Sequence, residues 1–79
     1  MQIVEVEIKL PYREKGTILS RILDKVRGKI RDIHFLPPDA TGMSEVKMEV
    51  VDENPSSLLG ELKKLIRNGK FSFRVFSEA

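Results

Sequence analysis

Apolar residues recur at every second position in three separate segments of the chain. They are Val4, Val6, Ile8 and Leu10, then Val46, Met48 and Val50, then Phe71, Phe73 and Val75. The residues between them are mostly charged. A period of two places the apolar side chains of an extended segment on one face. Each segment is therefore predicted to be a strand with one buried face.

Two intervening segments instead carry apolar residues at the spacing of a helix. They are Ile18, Leu19, Ile22, Leu23 and Val26 in the first, and Leu58, Leu59, Leu62, Leu65 and Ile66 in the second. We expect the first helix to begin at an N-cap formed by Gly16 or Thr17 and to stop at Gly28. Asn54 and Pro55 are typical of a second helix start, and that helix should end near residues 68–69.

The order of these elements predicts the fold. With a further strand at residues 30–36, the chain is expected to have strands at 2–10, 30–36, 43–51 and 70–76. The order strand, helix, strand, strand, helix, strand predicts an α+β ferredoxin-like βαββαβ sandwich. Right-handed crossovers place both helices on one face of a four-stranded antiparallel sheet of order 4-1-3-2. We expect a single domain over residues 1–79.

Size and composition favour an oligomer. Seventy-nine residues can form only a small core, and the absence of cysteine excludes disulfides and thiolate metal ligands. Association with a second copy is one way to stabilise such a chain, so we expect a homodimer. A charged fraction of 33% with few amide side chains is typical of thermophile proteins.

Charge and hydropathy argue against two classes of partner. The net charge is +2, and basic and acidic residues are interspersed, whereas nucleic-acid binders concentrate basic residues on one face. No apolar run approaches the length of about 18 residues that a membrane span needs, and residues 1–10 do not resemble a signal peptide. We expect a cytoplasmic protein that binds neither membrane nor nucleic acid.

The side chains needed for catalysis or metal binding are not found in a recognisable pattern. His34 is the only histidine, and its strand neighbour Asp32 points the same way without further ligands. No nucleophile and base can be paired, so we expect no catalytic residues, no metal and no cofactor. Arg13 and Lys15, next to the first helix, could hold a carboxylate or a phosphate, although an ordinary basic loop explains them as well.

Two surfaces of the predicted fold are candidates for nucleic-acid binding. RNA-recognition modules of this topology stack bases on aromatic residues of the open sheet face, where this chain has Glu5, Glu7, Glu45, Lys47 and Glu49. These carboxylates would repel phosphates. A basic helix face formed by Lys63, Lys64, Arg67 and Lys70 is the alternative surface, although a solvated outer helix face is the stronger explanation of these residues.

Residues 15–26, followed by Ile30-Arg31-Asp32-Ile33, resemble an ACT domain. The ACT pattern has an acidic or amide residue, a Pro-Gly-like turn, an apolar helix start and an Asn-Ile-x-x-Ile strand. Arg13 stands where that family prefers Asp or Asn, with Glu14 adjacent, and Lys29 replaces the Asn before Ile30. The resemblance covers nearly the whole chain in element order and length.

The resemblance implies a non-catalytic regulatory domain that binds an amino-acid-like effector as a dimer. Two copies would associate through the second strand and first helix. The effector would be held by Arg13, Glu14, Lys15, Gly16, Thr17 and Ile18 of one subunit and by Ile30, Arg31, Asp32 and Ile33 of its neighbour. A ligand-free interaction or assembly module is the alternative interpretation, and a small enzyme or nucleic-acid binder ranks below both.

Overall fold

The computed structural model describes residues 2–78, so Met1 and Ala79 of the predicted domain lie outside the described residues. The elements are β1 (Gln2–Pro11), a 3-10 turn (Tyr12–Glu14), α1 (Lys15–Lys25), β2 (Ile30–Leu36), β3 (Met43–Asp52), α2 (Pro55–Leu65) and β4 (Lys70–Glu78). All strand pairs are antiparallel, and the sheet order β2-β3-β1-β4 is the predicted order read from its other edge. The ferredoxin-like βαββαβ fold is confirmed.

The two central strands supply most of the core. In β1 and β3 the alternate residues are buried and directly paired, so that Val4 lies opposite Val50 and Val6 opposite Met48. Ile22 of α1 and Leu62 of α2 are fully buried in the same cluster. Because the cluster contains only one face of each central strand, both helices pack on that face and the other face stays open.

The edge strands are less well covered than the period-two pattern suggested. Phe73 and Val75 of β4 project toward the helix side beside Val6 and Val4, but 52% and 47% of their surface remains exposed. Phe35 of β2 is 50% exposed. Two helices cover the two central strands of the sheet and leave apolar side chains partly uncovered along both edges.

Two helix boundaries differ from the sequence expectation. The first helix starts at Lys15, before Gly16 and Thr17, because the 3-10 turn leads directly into it. It ends at Lys25, and Gly28 follows in the next turn with a φ of 78°. The second helix begins at Pro55 as expected but ends at Leu65, since Ile66 is already extended.

The connection between β2 and β3 is organised by one carboxylate. Asp39 accepts hydrogen bonds from the Thr41 hydroxyl, the Thr41 N–H at 2.9 Å and the Met43 N–H at 3.1 Å. Gly42 completes the turn with a φ of 82°, a left-handed conformation that favours glycine.

Within residues 2–78 neither helix has the length and apolar character needed to cross a bilayer.

Candidate functional site

A basic cavity of about 430 Å³ lies between the start of α1 and the end of α2. Four cationic side chains line it, Arg13 and Arg21 from the α1 side and Lys64 and Arg67 from the α2 side. These four side chains, together with Glu14, Thr17, Ile18, Leu65 and Asn68, form the basic cavity. Its two walls are 43 or more residues apart in the sequence, so only the packing of the two helices creates it.

The remaining lining residues give the basic cavity an apolar and a polar part. Ile18 and Leu65 are partly buried against the hydrophobic core and form its apolar part. Thr17 contributes a hydroxyl from the first turn of α1. The Asn68 amide lies 3.4 Å from both carboxylate oxygens of Glu14, which ties the loop after α2 to the 3-10 turn before α1.

The basic cavity holds an uncompensated positive charge. Among the described side chains, the cations of Arg13, Arg21, Lys64 and Arg67 have no carboxylate within 4.0 Å, whereas ion pairs occupy other parts of the surface. Glu14 is the one acidic residue in the lining. Four cations beside one carboxylate leave a local charge of +3, against +2 for the whole protein.

Lys15 connects the start of α1 to the edge of the sheet. Its ammonium nitrogen lies 5.5 Å from the centre of the Phe35 ring and 6.0 Å from the centre of the Tyr12 ring. Cations within about 6 Å of an aromatic face are attracted by its negative charge density. The loop before α1 is thereby held against the last residues of β2.

The predicted effector residues divide among different surfaces. Arg13, Glu14, Thr17 and Ile18 line the basic cavity. Lys15 instead faces the aromatic rings at the end of β2. The Cα of Gly16 faces open space, with no atom within 4 Å of where a Cβ would lie.

The β2 part of the predicted set begins at the far end of its own strand and reaches the middle of that strand at Ile33. Ile30 pairs with Val50 near the end of β3, and Leu36 pairs with Glu45 near its start. Pro11, which precedes the start of α1, pairs with Met43, also at the start of β3. The end of β2 and the start of α1 therefore lie at the same end of the sheet, and Ile30 lies at the other. A strand rises about 3.3 Å per residue, which places Ile30 roughly 15–20 Å from Phe35 along β2. Within one protomer, Ile30 therefore lies far from the start of α1, whereas Ile33 is in the middle of β2 and packs against the same core as Ile18.

Asp32 and His34 lie on the open sheet face, as their spacing predicted. The His34 Nε2 atom is 2.9 Å from Asp32 Oδ2, and both side chains are exposed. A β-bulge between Ile30 and Asp32 interrupts the pairing beside Arg31, whose guanidinium is 4.0 Å from Glu49. Among residues 2–78 no group of three or more metal-ligating side chains is brought together.

The four basic residues considered as one helix face do not form a single surface. Lys64 and Arg67 line the basic cavity, while Lys63 lines an apolar groove beside β4, and Lys70 lies near Glu7 and Glu45 on the open face. Consecutive helical residues point about 100° apart, and the chain leaves the helix after Leu65. Four residues that are close in the sequence therefore lie on three different surfaces.

Sequence reasoning missed Arg21, Leu65 and Asn68 as members of the site. Arg21 lies one turn after Thr17 on α1, so its helical spacing was the available signal. The sequence pattern predicts only that the second helix ends near residues 68–69. The contact of Asn68 with Glu14 depends on the packing of α2 against α1 and has no local sequence signal.

An apolar groove follows the opposite edge of the sheet. It lies between α2 and β4, has a volume of about 600 Å³ and is lined by Leu59, Phe71, Phe73 and Val75 among others. The rings of Phe71 and Phe73 are 6.1 Å apart. The groove and the Phe35 region mark the two sheet edges where apolar surface is exposed.

Comparison with known proteins supports the fold without identifying a family. No protein-family model and no curated protein matches the chain. A solved de novo designed protein, Foldit4, is 22% identical, with 99% of this chain and 98% of that chain covered and a TM-score of 0.64.

A formyltetrahydrofolate deformylase from Pseudomonas putida KT2440 contains a similar substructure. It is 12% identical with a TM-score of 0.66, and 96% of this chain corresponds to 29% of the deformylase chain. At these identities the likeness establishes the arrangement of helices and strands alone.

Proposed function

We propose that this protein is a non-catalytic regulatory domain that dimerises through β2 and binds an amino-acid-like small molecule, in the manner of ACT domains. The contact of Lys15 with Phe35 is the observation that carries the proposal. It holds the start of α1, where helix amide groups can receive a carboxylate, against the outer edge of β2. Among residues 2–78, β2 pairs with β3 alone, so its other edge is available.

A two-fold dimer would complete the predicted effector site. When two copies of β2 pair antiparallel about Ile33, the partner's residues 30–33 lie beside residues 33–36 of the first copy. The start of β2 in one subunit then approaches the start of α1 in the other. The distance of Ile30 from the start of α1 within one protomer is what such a shared site requires for the first residues of β2.

The exposed apolar surface around the end of β2 favours this edge of the sheet as the dimer interface. Phe35, Leu36 and Tyr12 are 50%, 37% and 60% exposed around the end of β2. Contact between two copies would remove this surface from water and extend the sheet, and both effects stabilise association.

A matched pair of substitutions tests the interface. Phe35 and Phe73 have nearly equal exposure, 50% and 52%, on opposite edges of the sheet. We expect size-exclusion chromatography with light scattering to show a dimer for the unchanged protein and for Phe73→Glu, and a monomer for Phe35→Glu. A monomeric unchanged protein, or dissociation caused only by Phe73→Glu, would contradict the proposed interface.

The effector is tested separately by thermal unfolding with the common amino acids. A ligand at about a hundredfold its Kd adds roughly 2.7 kcal/mol to the free energy of unfolding. For a domain of this size that corresponds to a Tm increase of about 10–20 °C. If every amino acid leaves the Tm unchanged while the protein stays dimeric, the domain is an assembly module without this class of effector.

A further inference from the structure

We infer that the basic cavity between α1 and α2 is a binding site for a small molecule bearing phosphate groups with two or more negative charges. This site shares Arg13, Glu14, Thr17 and Ile18 with the proposed effector residues, but its other lining residues are Arg21 of α1 and residues at the end of α2, with none from β2. Every residue that lines it belongs to one protomer. The inference therefore does not depend on the dimer or on an amino-acid effector.

The composition of the lining indicates the charge of the ligand. Arg13, Arg21, Lys64 and Arg67 surround one space, and no described carboxylate lies within 4.0 Å of their cationic groups. Like charges gathered without counterions raise the free energy of the protein, and a bound polyanion would lower it. A zwitterionic amino acid would neutralise little of this local charge.

The types of cation indicate phosphate. Three of the four are arginines, whose planar guanidinium groups donate paired hydrogen bonds that match the oxygens of a phosphate or carboxylate. The N-cap residue of α1, Glu14, makes no side-chain hydrogen bond to that helix end, and no acidic side chain lies in the first turn of the helix. The N-terminal end of α1 therefore adds to the positive potential of the cavity.

The shape favours a small molecule over a nucleic-acid strand. The volume of about 430 Å³ lies within the range of small-molecule sites, and Ile18 and Leu65 provide apolar surface for the non-ionic part of a ligand. A strand would need the positive surface to continue beyond the cavity. On the open face, across the sheet from the helices, Glu7 and Glu45 lie near Lys9 and Lys70, so the positive surface does not continue there.

Inorganic pyrophosphate is the probe, titrated into the full chain by calorimetry at low ionic strength. We expect binding of one pyrophosphate per protomer, weakened by added potassium chloride because salt screens the exposed charges. The affinity for pyrophosphate per protomer should be the same at protein concentrations above and below those at which the dimer dissociates. This arm separates the cavity from the proposed dimer site.

Lys63 and Lys64 provide the matched control. They are consecutive, exposed residues of α2, but only Lys64 lines the basic cavity. An exposed charge pair contributes up to about 1 kcal/mol, or roughly fivefold in Kd. We expect Lys64→Gln to weaken pyrophosphate binding about fivefold and Lys63→Gln less than about twofold. Arg21→Gln in α1 is compared in the same way with Arg27→Gln in the turn after α1, where Arg27 pairs with Asp24 outside the basic cavity.

Three results would overturn the inference. They are no heat of binding at millimolar pyrophosphate, equal weakening by Lys63→Gln and Lys64→Gln, and tight binding only to a single-stranded RNA oligomer. The RNA result would show a steep salt dependence from several phosphate contacts and would assign the surface to nucleic acid. Circular dichroism of each variant checks that the fold is retained.

Discussion

Gly69 lies directly against the backbone carbonyl of Lys9, leaving no space for a Cβ atom between them. The two residues adjoin the place where β4 begins its pairing with β1, at Lys70 opposite Lys9. The chain enters the last strand through this contact. Gly69 does not have a left-handed φ, so backbone conformation is not the reason for a glycine at this position. The close approach of the Lys9 carbonyl is the reason.

Gly69→Ala is expected to destabilise the protein. The added methyl would force β4 away from β1, and overpacking of this kind costs about 1–3 kcal/mol. Urea unfolding followed by circular dichroism measures the change. Gly60→Ala is the control, because Gly60 lies within α2 with open space at the position of a Cβ. Alanine there should increase the free energy of unfolding by about 1 kcal/mol. Equal effects of the two substitutions would contradict the close approach.

Ser44→Ala is expected to stabilise the protein by about 1 kcal/mol. Ser44 is 1% exposed on the core face of β3, and its hydroxyl has no hydrogen-bond partner among the described residues. A buried polar group without a partner costs roughly 1–3 kcal/mol, part of which alanine recovers. The free energy of unfolding at fixed protein concentration is the measurement. The exposed residue Ser72 serves as control, and Ser72→Ala should change stability by less than about 0.5 kcal/mol.

The Asp39 turn should lose its stabilising effect at acidic pH. The hydrogen bonds that Asp39 accepts, first from the Thr41 hydroxyl and then from the Met43 N–H, hold its pKa below the ordinary value of 3.8. A carboxylate with a lowered folded-state pKa stabilises the fold above its unfolded pKa, and the stabilisation disappears as pH falls through the folded pKa.

Asp39→Asn tests this dependence. Unfolding free energies of both proteins measured between pH 7 and pH 2 should differ most above pH 3.8 and converge below it. A difference that stays constant over this range would show that the charge of Asp39 contributes nothing to the turn.

The ion pair of Lys29 with Asp52 should be visible in the titration of one carboxyl group. Lys29 Nζ lies 3.1 Å from Asp52 Oδ2 and joins the turn after α1 to the end of β3. The hydrogen bond from Lys29 is the main cause of the lowered pKa of Asp52. We expect the Asp52 pKa, followed by NMR of its carboxyl carbon, to be higher in Lys29→Met. An unchanged pKa would contradict the pair, and Lys25→Met is the control.

The pattern of β1 and β3 illustrates what could be predicted from the sequence. Val4 and Val50 were assigned to one buried face from period two alone, and the structure pairs them directly. A central strand has neighbouring strands on both sides and helices on one face. The direction of a side chain therefore determines whether it is buried. The same pattern in β4 predicted the direction of Phe73 and Val75 correctly but not their exposure.

The candidate site was predicted less completely. Arg13 and Thr17 were selected from the sequence, but Arg21 and Asn68 were not, and their grouping depends on helices that approach from distant segments. Lys63 and Lys64, considered as part of one basic helix face, line different surfaces because adjacent helical residues point in different directions. A local pattern gives no information on which neighbouring element a side chain will meet.

The sequence alone determined the type and order of the six main elements, because side-chain periods of two and of about 3.6 are local properties of strands and helices. It also determined which strand face is apolar. The tertiary structure decided that the helices leave Phe35 and Phe73 half exposed at the sheet edges and that four cations gather between α1 and α2. Those features depend on contacts between segments far apart in the chain, and no local pattern encodes them.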